Sequence, residues 1–414
     1  MNWTGNRIEV EVGAVAHGGH CVARAEGRVL FVRHALPGER VIVEVTEDKG
    51  GAFCRADAVE ILTPSPDRVE PACALARPGG CGGCDWQHAT PAAQRELKAF
   101  VVAEQLHRLA GLDIKVEVEE LPGGPLAWRT RQRLAVDPQG RAGLRAHRSH
   151  QVLPLAGHGC PISVPDLFGD LLDTEHPPGT ELDVVLDDNG QRHVASLVPV
   201  PRRGRTPQTF RTSWLTGGTA TQHAAGRDWR LHADGFWQVH PAAAQTLADV
   251  VAEYAATPVG GSAWDLYGGV GLFAAVLADQ VGPEGSVLLV ESVDSAVDDA
   301  RRNLADRPWV RYLTGRVEHV LVDGTDLGVG GVDIGPDVVV LDPPRKGAGG
   351  AVVDAVASER PLRVVYVACD PAALGRDLAT FAEHGYHLAA LRAFDAFPMT
   401  HHVECVALIA RIGA

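Results

Sequence analysis

The chain has 414 residues, which is long enough for two or three domains that each bury their own core. Its hydrophobic fraction of 45% predicts a folded protein, and without an apolar run of about 18 residues we expect no membrane-spanning helix. The formal net charge of -14 excludes a protein that binds nucleic acid through bulk positive charge. The N-terminus alternates polar and apolar residues and lacks the apolar segment of a secretory signal, which predicts a cytoplasmic protein.

Residues 1–62 have the pattern of a small all-β unit. Short alternating strands, separated by glycines, are expected at Ile8–Val12, Val29–Val32, Arg40–Val45 and Phe53–Ile61. Five short strands of this spacing are typical of a small barrel of the oligonucleotide-binding kind. A β cap that binds no ligand fits the same pattern.

A cysteine cluster follows the proline-rich hinge of residues 63–71. The spacing C-x7-C-x2-C brings Cys73, Cys81 and Cys84 together, and Cys160 is available as a fourth thiolate. In a reducing compartment, clustered cysteines are better explained as metal ligands than as disulfides. Four thiolates suit either a tetrahedral zinc ion or a [4Fe–4S] cluster, and ligand type alone does not choose between the two.

An amphipathic helix is expected over about 91–109, and residues 122–229 are predicted to be mainly β with two clusters of arginine. These clusters predict either a surface that binds a polyanion or an ordinary solvated face. The first cluster comprises Arg129, Arg131, Arg133, Arg141, Arg145 and Arg148, and the second comprises Arg202, Arg203, Arg205 and Arg211.

From about residue 230, apolar strands alternate with alanine-rich helices, which indicates a parallel sheet with crossover helices. The segment SAWDLYGGVGLFAAVLA (262–278) predicts a strand, a glycine-rich turn and a helix that starts near Gly271. Glu291 ends the next strand, where an acid can bind both hydroxyls of a ribose. Asp265, at the tip of the first strand, is more typical of S-adenosylmethionine folds than of dinucleotide folds.

Three later strands bring reactive side chains to the same edge of the sheet. Asp342 follows the apolar run VVVL, a position that favours a site residue over a helix cap. Cys369 ends the run VVYVA and precedes Pro371, which suits the first turn of a helix. Cys369 is therefore either a buried core thiol or a nucleophile beside the ligand crevice. Glu404 interrupts an apolar strand and must be paired or functional, because burying a lone carboxylate is costly.

Five motifs in this order resemble those of the RNA uracil-C5 methyltransferases, namely GFWQVHPAAAQTL, DLYGGVGLF, LDPPRKG, the CDP turn of Cys369 and HHVECVALI. The N-terminal barrel resembles a TRAM domain, and the clustered cysteines resemble the iron–sulfur ligands of the family's ribosomal RNA branch. The resemblance covers nearly the whole chain. It implies an α/β fold class, with a class I S-adenosylmethionine-dependent (Rossmann-like) catalytic domain, an N-terminal TRAM/OB-like barrel and a mainly β central RNA-binding domain.

The resemblance also implies how the chain divides into domains. Residues 1–62 form the barrel. Residues 63–90 and 122–229 form the central domain, which carries the cysteines and the arginine clusters. Residues 91–121 and 230–414 form the methyltransferase domain.

The resemblance implies a role for each residue of the site. Cys369 adds to C6 of uracil, Glu404 removes the C5 proton, and Asp342 lines the pocket and hydrogen-bonds the base. The residues expected to bind S-adenosylmethionine are Gln238 and Tyr267 near the methionine part, Gly268 on the glycine turn, Glu291 at the ribose, and Asp342. The expected ligands of a [4Fe–4S] cluster, with zinc as the alternative, are Cys73, Cys81, Cys84 and Cys160.

The sequence departs from the family pattern at two places. The first gap between the cysteines is two residues longer than the usual C-x5-C-x2-C, which concerns the role of Cys73. His240 stands where the family's FxQVN segment ends in asparagine. Neither difference touches the catalytic motifs.

The implied function is methylation of uracil C5 in ribosomal RNA, which makes 5-methyluridine. The uracil would be extruded from folded RNA, while the barrel and the arginine-rich region bind the RNA strand and its phosphates. RNA is thus the expected partner, and one site per chain makes a monomer sufficient. The alternatives are a tRNA uracil-C5 methyltransferase and a non-catalytic RNA-binding or redox-sensing protein. A cytosine-C5 methyltransferase is disfavoured because LDPPRKG holds no second cysteine.

Overall fold

A computed structural model of the chain describes residues 2–200, 208–322 and 335–413. Four β-sheets contain all the strands of this part of the chain, and seven α-helices accompany them. Arg202, Arg203 and Arg205 of the second arginine cluster lie outside the described residues. None of the helices in the described ranges is long and apolar enough to cross a membrane.

The N-terminal sheet is five-stranded, in the order β1-β4-β5-β3-β2. Its strands are β1 (Arg7–Glu11), β2 (Cys21–Ala25), β3 (Arg28–Arg33), β4 (Arg40–Glu47) and β5 (Phe53–Thr63). The segment after β1 pairs with β2, since the Gly13 N–H donates to Val22 O (2.7 Å) and the Val22 N–H donates to Ala14 O (2.9 Å). These bonds join the two outer strands, so the sheet closes into the predicted barrel around a core that includes Leu30, Val41 and Val43.

The predicted amphipathic helix is present as α1 (Pro91–Ala110). Thr90 caps its N-terminus through the Ala93 N–H, Pro91 occupies the first turn, and Gly111 ends it in the left-handed conformation (φ 66°). The helix packs against α7 (Pro371–Glu383) of the C-terminal region, and the short strand β6 (Val118–Glu120) joins the largest sheet. Residues 91–120 therefore belong structurally with the C-terminal sheet.

The central region is mainly β, as predicted. An antiparallel six-stranded sheet has the order β12-β11-β10-β7-β8-β9, and a separate hairpin pairs β13 with β14. The strands are β7 (Arg131–Val136), β8 (Ala142–Arg145), β9 (Val152–Pro154), β10 (Glu181–Leu186), β11 (Arg192–Pro199), β12 (Phe210–Thr216), β13 (Thr219–Ala224) and β14 (Arg227–His232). A short 3-10 helix at Gly169–Leu172 packs on β8.

The C-terminal sheet has eight strands in the order β17-β16-β15-β18-β19-β21-β20-β6. Strands β15 to β19 run parallel, and β21 is antiparallel to both of its neighbours. The strands are β15 (Ser262–Leu266), β16 (Ser286–Glu291), β17 (Val310–Thr314), β18 (Val338–Leu341), β19 (Arg363–Ala368), β20 (Tyr386–Asp395) and β21 (Glu404–Arg411). The remaining helices are α2 (Ala243–Ala255), α3 (Leu272–Val281), α4 (Asp294–Asn303), α5 (Val317–Val322) and α6 (Gly350–Ser358).

Hydrophobic cores cover both faces of this sheet. On one face α2 and α3 pack with Val338, Val340 and Val365, and on the other α6, α7 and α1 pack with Val339 and Leu341. Strands that are buried on both faces consist of continuous apolar residues. The runs VVVL and VVYVA could therefore be recognised as buried strands from the sequence. The strand order reverses between β15 and β18, and an open α/β sheet binds its ligand at such a point.

Candidate active site

The carboxyl ends of the parallel strands open into one large cleft with a volume of about 1100 Å³. This volume exceeds that of a typical single-ligand pocket, so a cofactor and a nucleotide can be held together. Among the predicted site residues, those that line the cleft are Gln238, Tyr267, Glu291, Asp342, Cys369 and Glu404. The structure thus brings the predicted catalytic and cofactor residues into one space.

Cys369 lies on the turn between β19 and α7. Asp370 caps this helix, because its Oδ1 accepts the Ala373 N–H at 2.8 Å, and Pro371 occupies the first helical position. The residues before Cys369 on β19 are buried, whereas Cys369 itself is partly exposed to the cleft. The thiol is therefore held at the end of a rigid strand and is open to a ligand.

Glu404 reaches the same place from the antiparallel strand β21. The register pairs Ala368 with Cys405, which puts Glu404 beside the Cys369 turn. Glu404 is 4% exposed, and no side chain or N–H in the described ranges donates a hydrogen bond to its carboxyl group. Burial and the nearby Asp342 raise its pKa well above the usual value, against an opposing effect of Arg345.

Asp342 follows β18 and faces the same cleft. The next helix, α6, begins only at Gly350, so Asp342 does not cap it. Burial raises the pKa of Asp342 to about 7, and the charge of Glu291 contributes in the same direction. Two neighbouring carboxyl groups with raised pKa values, Asp342 and Glu404, are what a proton-transfer site requires.

The Cys369 thiol is held in its protonated form by these surroundings. Burial is the largest cause, the carboxylates of Glu404 and Asp342 add to it, and together they raise the pKa to about 12. The structure therefore shows Cys369 as a neutral thiol at the edge of the cleft. Forming the thiolate requires a change in local charge, such as a bound cationic ligand or protonation of a neighbouring carboxylate.

The glycine turn after β15 contacts Glu291. The Gly269 N–H donates to Glu291 Oε2 at 3.1 Å, while the other carboxylate oxygen accepts the Val293 N–H at 2.8 Å. Gly268 is packed tightly instead, since a Cβ there would lie 2.6 Å from Leu289 Cγ, and its N–H donates to Val290 O. Of the two glycines, Gly269 lines the cleft and Gly268 provides the close approach of backbone to the sheet.

Two buried polar atoms near this turn have no hydrogen-bond partner within the described part of the chain, Tyr267 OH and Asp265 Oδ1. Tyr267 has a left-handed backbone (φ 66°), a strained conformation that is common at ligand sites. Asp265 Oδ2 accepts the Ala274 N–H at 2.8 Å and so fixes the start of α3, and burial raises the pKa of Asp265 to about 8. Unsatisfied polar atoms beside a carboxylate fit a polar, cationic ligand such as S-adenosylmethionine.

The segment GFWQVH places Gln238 in the cleft wall together with Phe236, a residue that the sequence analysis did not single out. Phe236 is 69% exposed, which is unusual for a phenylalanine and leaves a flat aromatic face free in the cleft. His240 points elsewhere. It is buried, stacks on Trp128 with ring centroids 6.0 Å apart, and accepts the Ala242 N–H at Nδ1. The histidine that replaces the family's asparagine is therefore a packing residue.

The opposite wall of the cleft comes from the two N-terminal regions. The residues that form it are Gly18 and His20 from the barrel, Gly82, Gly83 and Asp85 from the cysteine segment, and Arg129, His147 and Arg148 from the central region. The role of most of these residues in the cleft wall could not be predicted from the sequence, because they come from three distant segments that carry no shared motif. The cleft is thus built by all three regions of the chain.

Most arginines of the first cluster have partners within the protein. Arg133 and Arg145 form half-exposed ion pairs with acids of β10, and Arg141 forms one with Asp137. Arg131 donates to the Ala233 and Gly235 carbonyls. Arg129 and Arg148 line the cleft, while the other paired arginines stay on the surface outside its lining. Arg211 of the second cluster is exposed on β12 and lies away from the cleft lining.

The four cysteines of the predicted metal site line one small cavity of largely apolar character, with Cys73, Cys81, Cys84 and Cys160 around it. Gln87 Nε2 donates to Cys84 Sγ (3.2 Å), and the Gly83 N–H donates to Cys81 Sγ (3.3 Å). In the described ranges no three His, Cys, Asp or Glu side chains converge closely enough to hold a single ion. The cavity therefore gathers the thiols around a space without focusing them on one point.

The cysteine segment is fixed at both of its ends. Cys81 forms a β-bridge with Ala146, next to the residues of the cleft wall. Beyond Cys84, the Asp85 and Trp86 N–H groups both donate to Met399 O at 2.9 and 3.0 Å. Asp85 Oδ2 also lies 2.7 Å from His401 Nδ1. The cysteine segment thus joins the central sheet to the loop that precedes Glu404.

The strand order of the C-terminal sheet and the cleft at its carboxyl edge define a class I methyltransferase fold. A crystal structure of the tRNA (uracil-54, C5)-methyltransferase of Pyrococcus abyssi in complex with S-adenosyl-L-homocysteine has the same fold, with a TM-score of 0.69. The alignment covers 97% of this chain and all of that one at 21% sequence identity.

Sequence comparison extends this relationship from fold to family. Residues 3–59 match the model of the TRAM domain, and residues 328–412 match the model of the tRNA (Uracil-5-)-methyltransferase family. The 23S rRNA (uracil(1939)-C(5))-methyltransferase RlmD of Alkalilimnicola ehrlichii is 32% identical, over 98% of this chain and 96% of that protein. A protein of Streptomyces avermitilis described as an uncharacterized RNA methyltransferase is 48% identical, over 98% of both chains.

The chain belongs to the RNA uracil-C5 methyltransferases, a family of S-adenosylmethionine-dependent enzymes. This confirms the resemblance of the five motifs and the predicted fold class. It also confirms that the chain is an enzyme that acts on RNA.

Proposed function

We propose that this enzyme makes 5-methyluridine in ribosomal RNA, with Cys369 as the nucleophile, Glu404 as the base and Asp342 as a binding group of the pocket. The observation that carries the proposal is the convergence of these three side chains at one sheet edge, in a cleft that also contains the glycine turn and Glu291. Uracil C5 is a poor nucleophile, so its methylation needs both a thiol and a base.

The reaction follows from the placement of these groups. The Cys369 thiolate adds to C6 of uracil, which forms a C–S bond and leaves an electron-rich enolate at C5 and O4. Bound S-adenosylmethionine supplies the methyl group that C5 takes up. Glu404 then accepts the C5 proton, the C5–C6 double bond re-forms, and the C–S bond breaks to release the thiolate. Cys369 directly follows β19, and Glu404 begins the neighbouring strand β21. Both side chains can therefore reach the same uracil.

Asp342 has the protonation state that binding of uracil needs. Its pKa of about 7 lets the carboxyl group donate or accept a hydrogen bond to the base near neutral pH. Phe236 offers an exposed aromatic face in the same cleft, on which an extruded base can stack. A uracil in folded RNA must be turned out of its stack before a thiol can reach C6.

S-adenosylmethionine is proposed to bind at the other end of the cleft. Glu291 would hold the ribose hydroxyls, and Gln238 and Tyr267 would contact the methionine part. Gly268 and Gly269 would keep the turn close to the ligand. The unpartnered Tyr267 OH supports this placement, because Tyr267 lines the cleft and a polar ligand would satisfy a buried atom that is otherwise unpaired in the described residues.

The cysteine cavity is proposed to hold a [4Fe–4S] cluster rather than zinc. A single zinc ion requires four sulfur atoms to meet at one point, about 2.3 Å from the metal. In a cubane cluster each thiolate binds its own iron, so the sulfurs stand around a larger body. The arrangement of Cys73, Cys81, Cys84 and Cys160 around one cavity supports the second geometry, and it includes Cys73 despite the longer spacing. The cluster would supply charge that stabilises the four thiolates.

Ribosomal RNA is favoured over tRNA by two observations. The RlmD relative, named for 23S rRNA, is 32% identical over nearly the whole of both chains, whereas the tRNA (uracil-54, C5)-methyltransferase of Pyrococcus abyssi, which aligns over a similar length, is 21% identical. The chain also carries the barrel and the cysteine segment, which the resemblance assigns to the ribosomal RNA branch. The proposal places the enzyme in the cytoplasm, where thiol ligands stay reduced, and as a monomer, since the proposed catalytic groups Cys369, Glu404 and Asp342 meet in the cleft of a single chain, which makes a monomer sufficient.

RNA that contains 5-fluorouridine tests the chemistry, because fluorine cannot leave as a cation and the covalent adduct is trapped. We expect a stable adduct that maps to Cys369 and is absent from Cys369→Ala. An adduct at another residue, or methylation by Cys369→Ala, would overturn the assignment.

Mass spectrometry of rRNA and tRNA from a strain without the enzyme tests the substrate. We expect loss of 5-methyluridine from rRNA alone, and loss from tRNA alone would reject the ribosomal assignment.

A further inference from the structure

The N-terminal barrel reaches the turn that carries Cys369 through the loop between β1 and β2. His17 Nε2 lies 2.9 Å from Asp370 Oδ2. Two residues further, Gly19 O accepts the Trp86 Nε1–H at 3.0 Å. Gly19 packs so closely that a Cβ there would lie 2.7 Å from His401 Cβ, and its φ of 80° is also left-handed. The loop is therefore docked on the catalytic region by several contacts.

The docked loop closes a second, small cavity behind the nucleophile. His17, Gly18 and Gly19 line it from the barrel side, while Arg345 and Cys369 line it from the catalytic side. Cys369 thus faces the large cleft and this cavity at once. A change in the barrel loop consequently alters the immediate surroundings of the thiol.

The ionisable groups around Cys369 are mainly acidic. The carboxyl groups of Glu404, Asp342 and Asp370 disfavour its thiolate when they are ionised, and within the described part of the chain Arg345 opposes them. Among these acids, Asp370 differs because both of its oxygens are engaged. One caps α7 through the Ala373 N–H, and the other contacts His17.

His17 is faced by three charged groups from the elements around it. They are Asp370 on the turn, Arg376 on α7 and Glu104 on α1. The hydrogen bond with Asp370 raises the pKa of His17, burial and Arg376 lower it, and the net shift is upward. For Asp370, burial raises the pKa, but the hydrogen bonds from His17 and from the Ala373 N–H together outweigh burial, so the net shift is downward. The pair is thus ionised between the lowered pKa of Asp370 and the raised pKa of His17.

We propose that His17 is a positioning residue for the methyl transfer reaction, which pairs with Asp370 to hold the nucleophile turn and to offset the negative charge beside Cys369. This inference rests on the proposed role of Cys369. It makes the barrel part of the catalytic site, in addition to any contact of the barrel with RNA.

The effect of the pair depends on pH with a definite sign. Below the raised pKa of His17 the imidazolium neutralises Asp370, so the thiolate is easier to form. As pH rises through that pKa, the imidazole loses its proton and the Asp370 charge acts on Cys369 unopposed. The benefit of His17 is therefore present at low pH and lost at high pH.

Alkylation of Cys369 by iodoacetamide measures its thiolate without methylation. We would follow the Cys369 peptide by mass spectrometry in the full-length protein, from pH 6 to pH 9. Since His17 is 41% exposed, we expect His17→Gln to react roughly two- to fivefold more slowly than wild type at pH 6 and equally fast at pH 9. His223→Gln, which breaks a comparably exposed His–Asp pair on the hairpin of β13 and β14 outside the cleft, should match wild type throughout. A His17→Gln rate equal to wild type at pH 6, or slowed by one factor at every pH, would overturn the proposal.

A second variant separates pairing from general damage to the loop. Asp370→Asn keeps a residue that caps helices well and removes the charge that His17 offsets. In this background His17→Gln should leave the alkylation rate unchanged at pH 6, and an undiminished slowing would contradict the pairing. The two failures are distinguishable. Methylation by Cys369→Ala would sink the proposed function, whereas the alkylation comparison judges His17 independently of any turnover.

Discussion

Two regions of the molecule use cysteine in opposite ways, and they lie on either side of Arg129 and Gly83, which line both. In the catalytic cleft a single thiol stands among carboxyl groups on a strand end. In the cysteine cavity four thiols surround a largely apolar space. Under the proposed roles, the neighbouring residues decide whether a thiol serves as a nucleophile or as a metal ligand, since the residue type and its partial burial are the same in both regions.

The two regions also differ in how they tolerate unpaired charge. In the cleft, Asp342 and Glu404 have raised pKa values, which cost stability and which would suit the proposed proton transfer. In the cavity, burial raises the pKa of Cys84 to about 12, and nearby thiols add to it. Four thiolates there would need the charge of a bound metal centre. The cost in the cleft would therefore be offset by the proposed catalytic function, whereas the cost in the cavity would be removed when the proposed cluster is assembled.

The largest effect that distinguishes the two regions is expected from Glu404→Gln. An amide cannot accept the C5 proton, so turnover should fall by about 10²–10⁴, the usual contribution of a general base. Methyl transfer precedes this step, so ordinary uridine RNA should accumulate as a covalent, methylated adduct. Denaturing gels and mass spectrometry of the adduct measure it.

The matched control for this variant is Glu253→Gln. Glu253 lies on α2 outside the cleft lining, where its carboxylate is 3.7 Å from Arg392. It should turn over like wild type and leave no adduct. Rapid release of product by Glu404→Gln would show that another group removes the proton.

Cys84→Ser tests the cysteine cavity, the second of the two regions. Loss of a cluster ligand should lower the iron content and the absorbance near 400 nm of anaerobically purified protein. The temperature of unfolding should fall by roughly 5 °C, because the segment that joins Cys81 to the Met399 loop loses its anchor. Cys54→Ala, in the barrel core, should keep the iron. Zinc in the wild-type protein, or full iron in Cys84→Ser, would contradict a four-cysteine iron–sulfur site.

The cleft was more predictable from sequence than its opposite wall. Asp342, Cys369 and Glu404 each end or begin an apolar strand, and the rule that ligands bind at the carboxyl edge of a parallel sheet brings them together. The wall depends on contacts between segments far apart in the chain, such as Gly19 on His401. Such contacts follow from how the regions pack, and packing leaves no periodic signal in a sequence.

The arginine clusters also show that contacts between distant segments cannot be predicted from the sequence. Their density predicted either a surface for a polyanion or a solvated face, and Arg133, Arg141 and Arg145 form half-exposed ion pairs with acids that are close only in the folded chain. The sequence shows the number of charges but not their partners. The cysteines were predicted better, because the tight spacing of Cys81 and Cys84 is itself local.

Asp342→Asn should separate catalysis from stability within the cleft. The native pKa of about 7 lies above the ordinary 3.8, so the native state holds a proton that the unfolded chain has already lost. Stability therefore declines from pH 4 to pH 7 and stays reduced above it. An asparagine removes this dependence, and the free energy of unfolding at pH 8 should rise by about 1 kcal/mol while methylation falls.

Urea denaturation at pH 5 and pH 8 measures this difference. Asp306→Asn provides a control of opposite sign, because a hydrogen bond from Arg227 lowers the pKa of Asp306. Its charge stabilises the protein above the unfolded pKa and loses that effect at low pH, so the asparagine should not stabilise at pH 8. Equal stability of Asp342→Asn and wild type at pH 8 would mean that Asp342 is better solvated than its burial indicates.

The smallest expected effect concerns Arg148, where the two regions meet. Arg148 follows the bridge between Cys81 and Ala146 and lines the cleft, and it is half exposed although it pairs with Glu47. Arg148→Ala should weaken RNA binding by a few fold and reduce the salt dependence of log K by about one unit, as expected for one lost phosphate contact. Arg141→Ala removes an equal charge outside the cleft. If both variants show the same salt dependence in a binding titration, the RNA does not contact the cleft wall at Arg148.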